Sequence, residues 1–254
     1  MTVTERHEKI LQELKENGKV SVQELSNELD VSEVTIRKDL RVLEDKGLLF
    51  RTHGGATQSN PYTSDRPVSE KEKIQAEEKN AIANEAIKLI GDNDSIILAS
   101  GTTILAVARK IHPEKRLNVI TSALNVSLEL SQHENVEVLQ LGGQLRQSST
   151  SVVGPYAEQF MEGITCGILF LGVDGIDLDH GLTTSNLMEA SLNQKFIDVA
   201  QYTVVVADHT KFGKRGFSRI CSLDKVQHII TDDGIAPELI NKLEEAGVQV
   251  TVAK

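Results

Sequence analysis

Apolar residues recur every three or four positions along the first fifty residues, the pattern of short amphipathic helices. The three apolar faces consist of Ile10, Leu11 and Leu14, of Val22, Leu25 and Leu29, and of Ile36, Leu40 and Leu43. Ser21 and Glu24 have capping-box spacing, and Ser32 is a suitable N-cap for the third helix. A strand-like segment at residues 48–50 and a glycine-containing turn follow. The pattern predicts three helices and a β-hairpin, a winged helix-turn-helix.

The third predicted helix separates its apolar residues from its basic ones. At about 100° per residue, Arg37, Lys38 and Arg41 lie opposite the apolar face. A helix fits the DNA major groove, where its first residues reach base edges and its Arg and Lys side chains neutralise phosphates. A solvated basic face is the alternative, but the complete three-helix frame favours DNA binding. The candidate DNA-binding residues are Ser32, Thr35, Arg37, Lys38 and Arg41, with Arg51 and His53 of the hairpin.

From Ser95 onward, short apolar runs alternate with helical segments. The predicted strands are residues 96–99, 118–121, 137–141, 167–173, 203–207, 228–231 and 249–252, and the predicted helices are 69–90, 102–111, 124–132, 186–200 and 237–246. This alternation indicates an α/β domain with a mostly parallel sheet. A polar, proline-containing stretch precedes it. We therefore predict a DNA-binding domain at residues 1–57, a linker at 58–68 and a second domain at 69–254.

Polar loops follow the first three predicted strands, where ligands bind in open parallel sheets. Their hydroxyls, glycines and backbone N–H groups suit an anion such as phosphate, although loops of this kind also cap helices without any ligand. The candidate residues are Ser100, Gly101, Thr102 and Thr103 after the first strand, Thr121, Ser122 and Asn125 after the second, and Gly142 and Gly143 after the third.

Charged residues follow the later strands of the same predicted sheet. Asp174 and Asp177 could bind sugar hydroxyls or shuttle protons, with Glu189 as a further acidic group. Lys211 could pair with a phosphate or with Asp208. Turn chemistry is the alternative for the aspartates. These five residues complete the candidate binding set for a phosphorylated small molecule.

Net charge and cysteine content limit the possible partners. The net charge is −10, yet residues 37–51 contain five basic and three acidic side chains, so DNA binding should be local and salt-sensitive.

Cys166 and Cys221 lie far apart beside apolar residues, which predicts buried free thiols. We expect no metal and no cofactor. The sequence shows neither a signal peptide nor an apolar run long enough to cross a bilayer, so we expect a cytoplasmic protein without membrane contact.

The chain closely resembles the DeoR family of bacterial transcription regulators. The matching residues are Val31–Leu40 and the hairpin Arg51–Ala56 in the first domain, and Ser100–Thr103, Leu141–Gly143, Val173–Ile176, Gly181–Thr184, Glu189–Ala190 and Asp208–Gly213 in the second. The resemblance implies operator binding, repression, and a second domain related in fold to ribose-5-phosphate isomerase and glucosamine-6-phosphate deaminase. It implies that a phosphorylated sugar or sugar derivative weakens operator binding. Residues 167–232 look especially like regulators of amino-sugar and hexitol catabolism.

The sequence is compatible with three classes of function. A sugar-phosphate isomerase or deaminase fused to a DNA-binding domain is the main alternative, but residues 181–186 lack the lysine of the related isomerase. His180 and His209 are interpreted as loop residues rather than as the proton relay of the deaminase. A DNA-binding scaffold without a ligand is the third class, and Ala99 stands where the family often has an acidic residue. We favour a non-enzymatic repressor that binds double-stranded operator DNA as a homodimer or homotetramer, because DNA half-sites repeat.

Overall fold

The computed structural model describes residues 1–45, 48–52, 54–57, 67–91 and 94–254, except for the side chain of Asp45. The chain divides into two compact units, residues 1–64 and 65–254. Gly47 and His53, and most of the predicted linker, lie outside the described residues. The predicted domain limits therefore stay a prediction.

The first unit contains the predicted three helices and hairpin. Its elements are α1 (Val3–Asn17), β1 (Lys19–Ser21), α2 (Val22–Glu28), α3 (Glu33–Asp45), β2 (Phe50–Thr52) and β3 (Gly55–Thr57). The hairpin strands pair antiparallel, and β1, which the sequence pattern did not predict, pairs with β3 to complete the sheet. The predicted apolar faces are buried together in one core, with Leu11 only partly buried. The winged helix-turn-helix prediction is confirmed.

Local hydrogen bonds explain where the helices of this unit begin. Ser21 Oγ accepts the backbone N–H of Glu24, and Ser32 Oγ accepts that of Thr35, at 3.1 and 3.2 Å. Asp30 adopts a left-handed φ of 50° in the turn before α3, a conformation that Asp tolerates better than most residues. These bonds satisfy backbone donors that the first helical turn leaves without partners.

A buried ion pair joins the first and third helices. Arg6 donates to both carboxylate oxygens of Asp39, at 2.5 and 3.0 Å, and His7 Nε2 lies 3.1 Å from the same carboxylate. Burial alone would raise the pKa of Asp39, but the hydrogen bonds from Arg6 and His7 lower it below its ordinary value. Asp39 therefore faces inward and fixes the rotation of α3 about its own axis.

The second unit is built on a seven-stranded parallel sheet. Its strands are β4 (Ser95–Leu98), β5 (Leu117–Thr121), β6 (Val136–Gln140), β9 (Cys166–Leu171), β12 (Ala200–Val206), β14 (His228–Asp232) and β15 (Gln249–Ala253). The order across the sheet is β15-β14-β12-β9-β4-β5-β6, with every neighbouring pair parallel. All seven strands coincide with predicted ones. The α/β fold prediction is confirmed.

Helices cover both faces of the sheet. They are α4 (Val68–Lys71), α5 (Ala76–Ala86), α6 (Thr102–Ala108), α7 (Leu124–Leu130), α8 (Pro155–Phe160), α9 (Leu187–Val199) and α10 (Pro237–Glu245). Successive strand residues face opposite sides, so Ile96 and Leu98 belong to the core under α5, α6 and α7, whereas Ile97 belongs to the core under α8, α9 and α10. Burial on both faces explains the nearly continuous apolar runs in the sequence.

This unit differs from the sequence prediction in its first helix, in α8, which was not predicted, and in two small sheets. The helix predicted at residues 69–90 is broken into α4, α5 and a 3-10 turn, because Gln75 adopts a left-handed φ of 52° between the two helices. Two small antiparallel sheets were not predicted: β7 (Gln144–Arg146) with β8 (Ser151–Val153), and β10 (Gly175–Asp177) with β11 (Gly181–Thr184) and β13 (Ser218–Cys221). Their strands are three or four residues long, too short for a periodic signal.

The remaining sequence expectations concern the thiols and the membrane. Cys166 is a buried free thiol and Cys221 a partly buried one. Burial raises the pKa of the Cys166 thiol to about 11, which keeps it protonated at neutral pH. Within the described ranges, no helix combines the length and apolar character needed to span a bilayer.

Replacing Asp39 should destabilise the first unit selectively. Asp39→Asn leaves Arg6 buried without its carboxylate, and we expect a loss of about 3 kcal/mol in the free energy of unfolding. Because folding lowers the pKa of Asp39, its contribution is complete above the unfolded pKa and disappears as the pH falls through the folded one. Hydrogen exchange of the α1 and α3 amides in the full chain measures the loss.

The matched control is Glu33→Gln, which removes an exposed ion pair of the same helix with Arg37. It should cost less than about 1 kcal/mol. Equal losses in the two variants would contradict a special role for the buried pair.

Candidate functional site

The outward face of α3 carries the residues predicted to contact DNA. Arg37, Lys38 and Arg41 are exposed, on the side of the helix opposite the buried Ile36 and Leu40. The acidic Asp39 faces inward against Arg6, so it does not interrupt this basic face.

The amino end of α3 and the hairpin carry the other predicted contacts. Ser32 is exposed and Thr35 partly exposed, with their hydroxyl oxygens 2.9 Å apart. In the hairpin, Arg51 Nε donates to Glu44 at 2.6 Å. The arrangement presents hydroxyls at the start of the helix and cations along it, as a major-groove helix requires.

The second unit has a cavity at the carboxyl ends of β4, β9 and β12. Its volume is about 110 Å³. Three lysines, three acidic residues and several hydroxyls line it, and its lining consists of Val68, Lys71, Ile74, Lys79, Ser100, Gly101, Thr102, Thr103, Ser148, Ser149, Gly172, Val173, Asp174, Thr184, Ser185, Glu189, Asn193, Asp208 and Lys211. This edge of the sheet is where open parallel sheets bind ligands.

The Asp174 carboxylate is surrounded by donors. It accepts from Lys71 Nζ at 2.9 Å, from Thr184 Oγ1 at 3.1 Å and from the backbone N–H of Ser185 at 3.0 Å. Burial by itself raises the pKa of this carboxyl, but the ammonium groups of Lys71 and Lys211 outweigh burial and hold the pKa below its ordinary value. Asp174 is therefore a fixed negative charge and hydrogen-bond acceptor in the cavity.

Glu189 lies beside this aspartate in a less favourable environment for a charge. Its Oε2 is 2.9 Å from Arg146 Nη1 and 3.4 Å from the Thr184 hydroxyl. Burial raises the pKa of Glu189 above its ordinary value, against the opposing effects of a hydrogen bond from Ser149 and of the Arg146 charge. Two neighbouring carboxyl groups thus have pKa values shifted in opposite directions, which is common at functional sites.

Two of the cavity lysines, Lys79 and Lys211, differ in the contacts of their ammonium groups. Lys79 is buried and donates to the carbonyl oxygens of Lys71 and Ile74, at 2.6 and 2.5 Å. Burial lowers the pKa of Lys79 to about 8. Lys211 Nζ lies 3.9 Å from Asp208, a loose contact that leaves it able to turn toward a ligand. The cavity therefore combines a held ammonium group with a more adjustable one.

The structure brings together eight of the predicted effector-binding residues. They are Ser100, Gly101, Thr102, Thr103, Asp174, Glu189, Asp208 and Lys211. The sequence reasoning missed Lys71, Lys79, Ser148, Ser149, Thr184, Ser185 and Asn193. No local motif marks these residues, because they enter the cavity from α4, α5, α9 and the loops of the small sheets.

The other six predicted effector residues lie outside this cavity. Thr121 ends β5 and Ser122 and Asn125 follow it, on the far side of β4 from β9, and all three serve local structure. The Thr121 hydroxyl accepts the N–H of Ala123, and Asn125 Oδ1 accepts that of Val126, at 3.1 and 3.0 Å. The carbonyl oxygen of Ser122 accepts the N–H of Val152 in β8. The hairpin of β7 and β8 thus covers this loop.

Three further predicted effector residues, Gly142, Gly143 and Asp177, also lie outside the cavity. The two glycines line a separate pocket beside Tyr156 and Phe160. Asp177 accepts from Arg215 Nη2 at 2.8 Å and from the N–H of His180, and the hydrogen bond from Arg215 lowers the pKa of Asp177. The structure gives Asp177 a turn-stabilising role and does not place it at the cavity.

Family models match both units of the chain. The model described as the DeoR-like helix-turn-helix domain matches residues 6–61, and the DeoR C terminal sensor domain matches residues 74–233.

Curated relatives match nearly the full length of the chain. It is 39% identical to the uncharacterized HTH-type transcriptional regulator YulB of Bacillus subtilis, over 99% of this chain and 97% of that one. It is 38% identical to the putative aga operon transcriptional repressor of Escherichia coli O157:H7, over 97% and 93%. It is 33% identical to the glycerol-3-phosphate regulon repressor of Haemophilus influenzae, over 94% and 93%.

Among solved structures, ribose 5-phosphate isomerase A of Methanocaldococcus jannaschii is similar over 54% of this chain and 55% of that one. The sequence identity is 18% and the TM-score is 0.39.

The backbone beside Asp174 leaves no space for an additional side-chain atom. A Cβ at Gly175 would lie 2.4 Å from the carbonyl oxygen of Lys214 and 2.7 Å from Thr183 Oγ1. We therefore expect Gly175→Ala to lower the free energy of unfolding by about 1–3 kcal/mol. Thermal and urea unfolding of the second unit measure this loss.

Gly142→Ala is the matched control, because a Cβ there meets nothing within 4 Å. It should change stability by less than about 0.5 kcal/mol. A Gly175→Ala variant as stable as this control would show that the loop carrying Asp174 can shift freely.

Proposed function

The chain belongs to the DeoR family of transcription regulators, and we propose that it represses a carbohydrate-catabolism operon until a phosphorylated sugar or amino sugar binds its second unit. The winged helix-turn-helix and its basic outward face support the proposal that the protein binds DNA. One observation above all supports the proposal that it binds an effector: lysines, hydroxyls and carboxyl groups line the same cavity. Phosphate requires cations and hydrogen-bond donors, while sugar hydroxyls require acceptors.

For DNA, we propose that α3 enters the major groove. Ser32 and Thr35 would then face base edges, while Arg37, Lys38 and Arg41 would contact phosphates. Arg51, together with His53, which lies outside the described residues, would reach the flanking backbone or minor groove. Repeated half-sites favour a homodimer or homotetramer acting on DNA in the cytoplasm.

For the effector, we propose that Lys211 binds the phosphate together with the hydroxyls of Ser100, Thr102 and Thr103. Asp174 is suited to accept hydrogen bonds from sugar hydroxyls or from the ammonium group of an amino sugar, because it stays ionised. Glu189 supplies a second acceptor on the same side. The relatives named for the aga operon and for the glycerol-3-phosphate regulon support an effector from carbohydrate metabolism.

The chain is not an enzyme. Its curated relatives over nearly the whole length are named as transcription regulators and repressors. The lysine missing from residues 181–186 does not by itself exclude catalysis, because lysines from elsewhere in the chain enter the cavity. The conclusion therefore rests on the relatives rather than on a lack of cationic groups.

The deciding experiment titrates the protein onto its own promoter DNA by fluorescence anisotropy, with a panel of phosphorylated sugars, amino sugars and polyols. Specific binding that one compound reverses supports the proposal and identifies the effector. Specific binding that no compound changes would contradict the effector assignment. Turnover of a panel member without specific DNA binding would overturn the whole proposal.

Arg37→Ala should weaken operator binding and reduce the slope of log affinity against log salt by about 1, because one phosphate contact is lost. The fold should be unaffected, since Arg37 is exposed and pairs with Glu33, one turn earlier in the same helix. Lys15→Ala removes an exposed lysine of α1 as the control and should leave the slope unchanged. Wild-type affinity in Arg37→Ala would remove Arg37 from the interface.

Lys211→Ala should raise the effector concentration needed for release by about 10- to 100-fold, the loss expected for a charge-assisted hydrogen bond. Operator affinity without effector should stay at the wild-type value. Lys195→Ala, an exposed lysine of α9 outside the cavity, is the control. A normal effector response in Lys211→Ala would exclude this lysine from phosphate binding.

A further inference from the structure

Residues 67–75, named the strap below, form one wall of the sensor cavity. Val68, Lys71 and Ile74 of the strap line the cavity. The strap is also the first described stretch after the boundary between the two units, which falls at residue 64. Any movement of the strap therefore occurs in the part of the chain that leads to the DNA-binding unit.

Lys79 of α5 holds the strap through hydrogen bonds from its Nζ to the carbonyl oxygens of Lys71 and Ile74, and three further contacts fasten the strap to the rest of its unit. The N–H of Val68 donates to the carbonyl oxygen of Ser148 at 2.7 Å, and Lys71 Nζ donates to Asp174 at 2.9 Å. Arg109 donates to Glu72 at 2.7 Å on the outer side. The contact between Lys71 and Asp174 joins two side chains that line the cavity, where a ligand can reach it.

Backbone strain lies on both sides of these contacts. The strap ends at Gln75, whose φ of 52° is left-handed, and Thr150 in the hairpin that holds Ser148 has a φ of 50°. A β-branched residue such as Thr150 rarely adopts this conformation. Strained residues persist only where surrounding contacts hold them, so loss of a contact favours rearrangement of these segments.

The cavity is small as it stands, and movement of one wall would give a ligand more room. Its volume of about 110 Å³ is well below the roughly 300–1,000 Å³ of ordinary ligand pockets. The walls formed by β4, β9 and β12 are fixed by parallel strand pairing. The strap has no strand pairing, so its movement breaks no pairing of the parallel sheet.

We propose that Lys71 is a lock: it fastens the strap to Asp174 in the DNA-binding state, and the effector opens the lock by taking its place on Asp174. This inference rests on the proposed sugar-phosphate function of the cavity. A ligand shifts an equilibrium only if it binds the two states unequally. In this proposal, a hydroxyl or ammonium group of the effector replaces Lys71 on Asp174 Oδ1, so the effector favours the released strap.

The test breaks the lock without any effector. Lys71→Met in the full chain should weaken operator binding by about 5- to 150-fold, the usual range of coupling between sites. Hydrogen exchange of the strap, read at the Val68 amide, should accelerate in the same variant, while the α9 peptide stays protected. Asp174→Asn keeps the shape of the side chain but removes its charge, so it should change both measurements in the same direction.

Lys73→Met is the matched control, since it removes the same charge from an exposed position of the same strap. It should leave operator affinity and strap exchange unchanged. Wild-type affinity in both Lys71→Met and Asp174→Asn, or an equal loss in Lys73→Met, would overturn the lock. Because no effector enters this test, its failure leaves the sugar-phosphate assignment standing, and Lys211→Ala examines that assignment separately. If Lys71→Met does not fold, the comparison of Asp174→Asn with Lys73→Met tests the lock.

Discussion

The sensor unit is organised around one ionised carboxylate. Asp174 sits at the end of a central strand in a partly buried cavity, where a lone charge would be strongly unfavourable. Two segments solve this problem by supplying donors: Lys71, which lies before the sheet, and the neighbouring Thr184 hydroxyl and Ser185 backbone N–H at the end of a short strand. Asp174 thereby links α4, the sheet of β10, β11 and β13, and the loop after β9.

The parts of the fold that follow from local patterns were predictable from the sequence. Buried parallel strands need apolar side chains on both faces, and this requirement alone identified all seven strands of the large sheet. The loops after β4, β9 and β12 were also identified, because ligands bind beyond the carboxyl ends of such strands. The short strands of the small sheets carry no periodic signal and were missed.

Only some of the residues that line the cavity could be predicted from the sequence, because their positions depend on the order of the strands in the sheet. The sequence pattern gave no strand order, so loops after β5 and β6 received the same weight as those after β4 and β9. In the sheet, β5 and β6 lie beyond β4, and the hairpin of β7 and β8 covers the loop after β5. Lys71 and Asp174 are 103 residues apart, and no spacing rule connects two residues so distant in the chain.

The inward orientation of Asp39 has a consequence for how operator preference can diverge. Its pairing with Arg6 fixes the rotation of α3 from the inside, through groups that do not face outward. The exposed Arg37, Lys38 and Arg41 take no part in this buried pair. Substitutions at these surface positions can therefore change which operator sequence is bound while the position of the helix stays the same. A family that regulates many different operons gains most from this separation.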